Sequence, residues 1–122
     1  MEEVPSVYEN RTIYRHGPYI TGIRTSSEEL KKLAGIVSEK LNKATGPVAV
    51  VIPGKGFSAL DREGFSFFEP ETDKTFSVEL KRTLKKEIEF IELDAHIFDE
   101  LFVAEVANTY DRLAKRERFD YV

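Results

Sequence analysis

Apolar positions along this chain follow two alternating rhythms. Residues 48–52, Val-Ala-Val-Val-Ile, are wholly apolar and mostly β-branched, and they lie between Pro47 and Pro53. A short run of this kind reads as a strand buried on both faces, as found inside parallel sheets. Residues 19–23 and 88–93 read as two more strands. Between the strands the spacing changes to threes and fours. Leu30, Leu33, Ala34, Val37 and Leu41 mark one face of a helix. Ser26-Ser-Glu-Glu29 opens that helix as a capping box, and Gly46-Pro47 stops it. Phe76, Leu80 and Leu84 predict a second helix beginning at Glu69-Pro70-Glu71, with proline at the first helical position. Its end is crowded by Lys81, Arg82, Lys85 and Lys86, where cations favour the helix dipole. Val103, Val106, Ala107, Tyr110 and Leu113 predict a third helix, capped by Asp99.

The order β-α-β-α-β-α implies a three-layer α/β fold, a small parallel sheet flanked by helices in the manner of a Rossmann- or flavodoxin-like half. All three strands, 19–23, 48–52 and 88–93, are expected in that one sheet, with 48–52 in its interior. Strand order is not readable from the pattern. Residues 1–11 are polar and unpatterned and read as an arm. Residues 12–14 suggest a short edge strand, which His16-Gly17-Pro18 breaks into a turn. The charged stretch 115–122 reads as a fraying tail. At 122 residues the expectation is a single domain over 1–122.

Composition narrows the function classes. A net charge of −4 argues against nucleic acid, which calls for basic stripes. No apolar run approaches the ~20 residues that span a bilayer. The opening Met-Glu-Glu-Val-Pro lacks the basic and apolar regions of a signal peptide. Cysteine is absent, which removes disulfides and thiolate metal sites and suits a reducing compartment. A cytoplasmic protein is the expectation.

In a parallel sheet the strands end on one edge, where ligands of open α/β sheets bind. Three loops are expected to meet there. The first holds Arg24, Thr25 and Ser26 at a helix N-terminus, an arrangement suited to an anion. The second, Gly54 to Gly64, holds Lys55, Gly56, Ser58 and Asp61. The third holds Asp94 and His96. Each has a plainer reading as well. Ser26 and Ser27 are explained by capping, and Asp61 by a local turn. Gly54-Lys-Gly56 is not a phosphate-binding P-loop, because no Ser or Thr follows the lysine. Asp94, His96 and Asp99 offer a single histidine without a second ligand cluster, so no metal site is expected. Phe57, Phe65, Phe67 and Phe68 look like contact aromatics.

Several of these stretches together resemble a known family. They are His16-Gly-Pro-Tyr-Ile-Thr-Gly-Ile-Arg-Thr25, Ser27-Glu-Glu29, Lys40-Leu-Asn-Lys-Ala-Thr-Gly-Pro47, Gly56-Phe-Ser-Ala-Leu-Asp61, Phe67-Phe-Glu-Pro70 and Ala95-His-Ile-Phe-Asp99. In order and spacing, over about residues 12–114, they are similar to the closing part of the Tm-one-like ATP-binding family of uncharacterised proteins, typified by the tomato mosaic virus resistance protein. Members of that family are longer and have two α/β lobes, and the similarity is to the end of the second. The family commonly has Asn at the place of Gly17 and Pro at the place of Glu100. The resemblance implies ATP or another phosphorylated small ligand, and it marks Arg24, Thr25, Ser58, Asp61 and His96 as motif positions.

Three functions follow as expectations. The chain is a ligand-binding module for a nucleotide or similar compound, completed by a partner lobe. Alternatively it is an assembly subunit, a homo-oligomer or the partner of a separately encoded N-terminal lobe. The third alternative is a hydrolase that uses Asp94 or His96 as base. Neither nucleic acid nor membrane is expected as a partner, and no catalytic residue is assigned.

Overall fold

A computed structural model describes residues 4–120 of the chain. After a 3-10 turn at Ser6–Tyr8 come β1 (Ile13–His16), β2 (Ile20–Ile23), α1 (Ser27–Asn42), β3 (Ala49–Pro53), α2 (Pro70–Thr83), β4 (Glu89–Leu93) and α3 (Glu100–Asp120). The protein is α/β, with a parallel β3–β4 pair flanked by three helices.

The start of α1 is fixed by local chemistry. Ser26 Oγ accepts the Glu29 N–H at 3.2 Å, and Glu29 Oε1 accepts the Ser26 N–H at 3.0 Å. The Arg11 guanidinium joins this box, donating to Glu29 Oε1 at 2.9 Å and to the Arg24 carbonyl at 2.8 Å. The end of the N-terminal arm is thereby docked. Hydrogen bonding from Arg11, and then from the Ser26 N–H, holds the Glu29 carboxyl down from 4.5 to about 2. At the other end of α1, Asn42 clamps α2: its Nδ2 donates to Thr83 O and its Oδ1 accepts the Lys85 N–H.

β3 and β4 pair in parallel from Ala49 opposite Glu89 to Pro53 opposite Leu93. Ala34, Ile52 and Leu80 form the buried core, with Val37, Val50, Phe57, Phe76, Leu84 and Phe90 packed around them. Side chains alternate across a strand, so Glu89 and Ile91 face away from the Phe90 side. Arg112 of α3 reaches that second face, donating to both Glu89 oxygens at 2.5 and 2.7 Å. Helices therefore cover both faces of the sheet, α1 and α2 on one and α3 on the other.

Two expectations change. β2 does not enter the parallel sheet but pairs antiparallel with β1, Ile13 opposite Ile23 and His16 opposite Ile20. A three-residue turn can only join antiparallel neighbours, since a parallel crossover needs a dozen residues or more, and the local pairing claims the strand. With two strands in the parallel sheet, β3 has one edge unpaired among the described residues rather than lying inside. Most of the apolar positions read on α3 face out: Val103 is 59%, Val106 42% and Tyr110 70% exposed. Thr109 is buried instead, with Phe102 and Leu113 half-buried beside it. The helix runs to Asp120. Residues 121–122 of the charged tail lie outside the described residues, as do residues 1–3 of the arm.

Candidate functional site

The loops after β3 and β4 leave the sheet together. Gly54 N–H donates to Leu93 O at 2.8 Å, Lys55 N–H to Ala95 O at 3.0 Å, and Ile97 N–H to Gly56 O at 3.1 Å. Two glycines make this closeness possible. A Cβ on Gly54 would sit 2.8 Å from Leu93 O, and one on Gly56 would sit 1.8 Å from Asp61 O. Gly56 also has φ +141°, a conformation open to glycine. The Gly-Lys-Gly segment is thus a joint between two loops, and Gly56 itself is buried.

Ser58, Asp61 and His96 build the frame behind that joint. Ser58 Oγ and its carbonyl both receive the Asp61 N–H, and Asp61 Oδ2 accepts the Phe57 N–H at 3.1 Å. His96 is 4% exposed. Its Nε2 lies 2.7 Å from the Ser58 carbonyl, which only accepts, so Nε2 carries the proton. Its Nδ1 then accepts the Phe98 N–H at 3.1 Å and faces Arg62 Nη2 at 3.2 Å. Both ring nitrogens are engaged in hydrogen bonds within the protein. Asp94, the other residue expected as a base, is 91% exposed at its side chain and lies 3.9 Å from Lys55 Nζ.

In front of this frame lies a cleft of about 530 Å³, lined by Gly54, Lys55, Arg62, Glu63, Phe65, Phe68, Pro70, His96 and Asp99. It occupies the carboxyl ends of β3 and β4, as ligand clefts of open α/β sheets do. Two cations, Lys55 and Arg62, and two exposed rings, Phe65 and Phe68, are turned to one space. The Arg62 guanidinium stands 5.8 Å above the Phe65 ring. The acids are partly committed, since Asp99 Oδ2 accepts the His96 N–H at 2.8 Å. No group of three or more His, Asp or Glu side chains among the described residues could hold a metal ion.

Arg24 takes a role other than the expected one. It is 7% exposed, and its guanidinium is spent inside the protein. Nε donates to Phe67 O at 2.9 Å, and Nη2 donates to Asp73 Oδ1 at 2.5 Å while lying 3.7 Å from Asp61 Oδ1. Arg24 therefore ties the end of β2 to the 54–69 loop and to the first turn of α2, instead of offering its charge to an anion. Asp61 Oδ1 is buried without a hydrogen-bond partner among the described residues. Burial, then the neighbouring Asp61 carboxylate, pushes the Asp73 carboxyl up from 3.8 to about 7 against the pull of Arg24.

The expected site residues thus divide. Lys55 and His96 line the cleft, and Gly56, Ser58 and Asp61 support it from behind. Thr25 and Ser26 line a separate hollow of about 210 Å³ with Asn10, Arg11 and Thr12, beside the start of α1. Phe57 and Phe67, expected as contact aromatics, are half-buried within the chain: Phe57 packs edge-on against Phe76 at the core, and Phe67 edge-on against Tyr14. Sequence reasoning missed Arg62 as a cleft residue. The available signal was its place in a polar loop ahead of two phenylalanines.

Comparison with known proteins gives a consistent result. Residues 1–114 match the C-terminal domain of an uncharacterised protein family, UPF0261. A UPF0261 protein of Clostridium tetani is 37% identical over 108 residues, which is 88% of this chain and 27% of that protein. A UPF0261 protein of Rhizobium meliloti is 37% identical over 117 residues, 93% of this chain and 29% of its own length. The ToMV resistance protein Tm-1 of Solanum lycopersicum is 32% identical over 117 residues, 94% of this chain and 16% of its own. This chain spans well under a third of the length of these relatives.

Proposed function

The chain belongs to the UPF0261 family through its C-terminal domain, and from that premise we propose that it binds a small ligand carrying an aromatic ring and an anionic group, as a nucleotide does. The observation that carries this reading is the cleft at the ends of β3 and β4, where Lys55 and Arg62 meet the exposed rings of Phe65 and Phe68. Exposed aromatic faces stack with flat rings, and a guanidinium makes charge-assisted bonds to phosphate oxygens. His96 acts from behind, its ring fixed by Ser58 and Phe98 so that Arg62 is held at the wall. The absence of cysteine suits work in a reducing compartment such as the cytoplasm.

Calorimetric titration with ATP, ADP and AMP tests this reading. Arg62→Ala removes a charge-assisted bond, about 1.5–3 kcal/mol, and should weaken binding by roughly 10- to 150-fold with the fold intact. Equal affinity in the folded variant, or no binding by the wild-type protein, would overturn it.

A second reading is supported by the 27–29% share of the relatives' length that this chain covers. On that reading the domain is an assembly module, which works against an N-terminal lobe in the same polypeptide or a separate one, or against a second copy. The two readings are compatible, because a cleft on a two-stranded sheet is open to completion from the side.

A further inference from the structure

α3 is amphipathic by sequence, yet it is seated with much of its apolar arc bare. Val103, Val106, Ala107, Tyr110 and Ala114 recur at steps of three and four, so they form one stripe along the helix. The side turned to the sheet instead carries Glu105 and Thr109, whose side chains bond to each other at 3.4 Å, together with Phe102 and Leu113. A tyrosine 70% exposed beside two half-bare valines is an unusual outer surface for a helix that already has a sheet beneath it. Below α3 the sheet is two strands wide, and each strand has an unpaired outer edge among the described residues.

We propose that the Val103–Val106–Tyr110 stripe of α3 is the seat of the N-terminal portion of a UPF0261 chain. This rests on the assembly reading above and names its surface. The occupant follows from length. In the Clostridium tetani and Rhizobium meliloti proteins the matching part is 27% and 29% of the whole, so more than two thirds of each chain is tethered beside this domain. Tethered domains that bury a shared face do so through apolar and aromatic contacts at its centre with charges at the rim. The stripe has that composition, Tyr110 and two valines flanked by Asp111, Lys115 and Arg116. The fitting surface on the partner is an apolar helix or strand layer.

Hydroxyl-radical footprinting tests the seat. This chain is measured alone and as a replacement for the matching segment of the full-length Clostridium tetani protein. Tyr110 should oxidise severalfold more slowly in the full-length setting, while Tyr19, 94% exposed at the tip of the β1–β2 hairpin, serves as the reference ring. If the chimaera does not fold, the same reading is taken after co-producing this chain with the N-terminal portion as a separate polypeptide. Association with Tyr110 equally reactive in both settings overturns the seat and spares the assembly reading. Failure of the two parts to associate overturns both. Protection of Tyr110 in the isolated chain that grows with concentration, matched by a dimer in sedimentation, assigns the stripe to a second copy and overturns the proposal. Ligand titration of the isolated chain is unaffected by any of these results.

Discussion

Arg24 carries its charge into the interior and shares it among groups 43 to 49 residues away in sequence, Phe67 O and Asp73. Removing one member of a buried charged cluster strands the others, at a cost of about 3–5 kcal/mol. Arg24→Ala should therefore lower the free energy of unfolding by that amount in urea, and an unchanged midpoint would contradict the role given to it. Asp73 makes the cluster sensitive to pH. Its folded value of about 7 lies above the ordinary 3.8, so its contribution is complete below pH 4 and is lost as pH climbs through 7. In the protonated state Asp73 has a hydrogen to offer the otherwise unpartnered Asp61 Oδ1. Glu29 works in the opposite sense: its value is lowered from 4.5 to about 2, so its contribution is present above 4.5 and fades as pH falls towards 2. Urea midpoints measured from pH 4 to pH 8 should show stability draining from the wild type across the upper window. Asp73→Asn, which keeps a donor at every pH, should flatten that decline, and identical slopes would count against the account. The Glu29 part of this was legible in the capping box, whereas the Arg24–Asp73 pairing was not. Arg24 was recognisable as a charged loop residue, but its partners come from two later segments that only folding brings near.

At the scale of elements, legibility followed how local the cause is. The start of α1 was readable because it is written in four consecutive residues, and the capping box forms as expected, but the helix ends at Asn42, ahead of Gly46, and Leu33 on its expected buried face is exposed. Ser26→Ala should cost about 1 kcal/mol of stability by urea denaturation, as loss of an N-cap does. No loss would mean that Arg11 and Glu29 hold the helix start without the serine. α2 likewise begins at its proline. β2 was recognisable as a strand, but its partner was not, because the choice between β1 and the parallel sheet is made by a short turn and not by the strand's own residues. α3 shows the limit of periodicity most clearly. Spacing identifies the apolar stripe without saying what covers it, and here Thr109 faces inward while Tyr110 faces out.

At the scale of the whole molecule, the parallel pair and its helices place one cleft at the carboxyl ends of β3 and β4, as the sequence led one to expect. The residues that line it were only half legible. Lys55 and His96 came from the strand-end rule, whereas Arg62, Phe65 and Phe68 reach the cleft because the 54–69 loop is folded back by Asp61, Gly56 and Arg24. On the proposed function this cleft, and not the hollow at the start of α1, receives the ligand. Amide NMR of the labelled chain titrated with ATP tests it most directly. Shifts should gather at Gly54 and Lys55, at residues 62–68 and at His96, and leave Thr25, Ser26 and Ser27 in place. Shifts centred on Thr25–Ser27 and Arg11, or none at all, would contradict it.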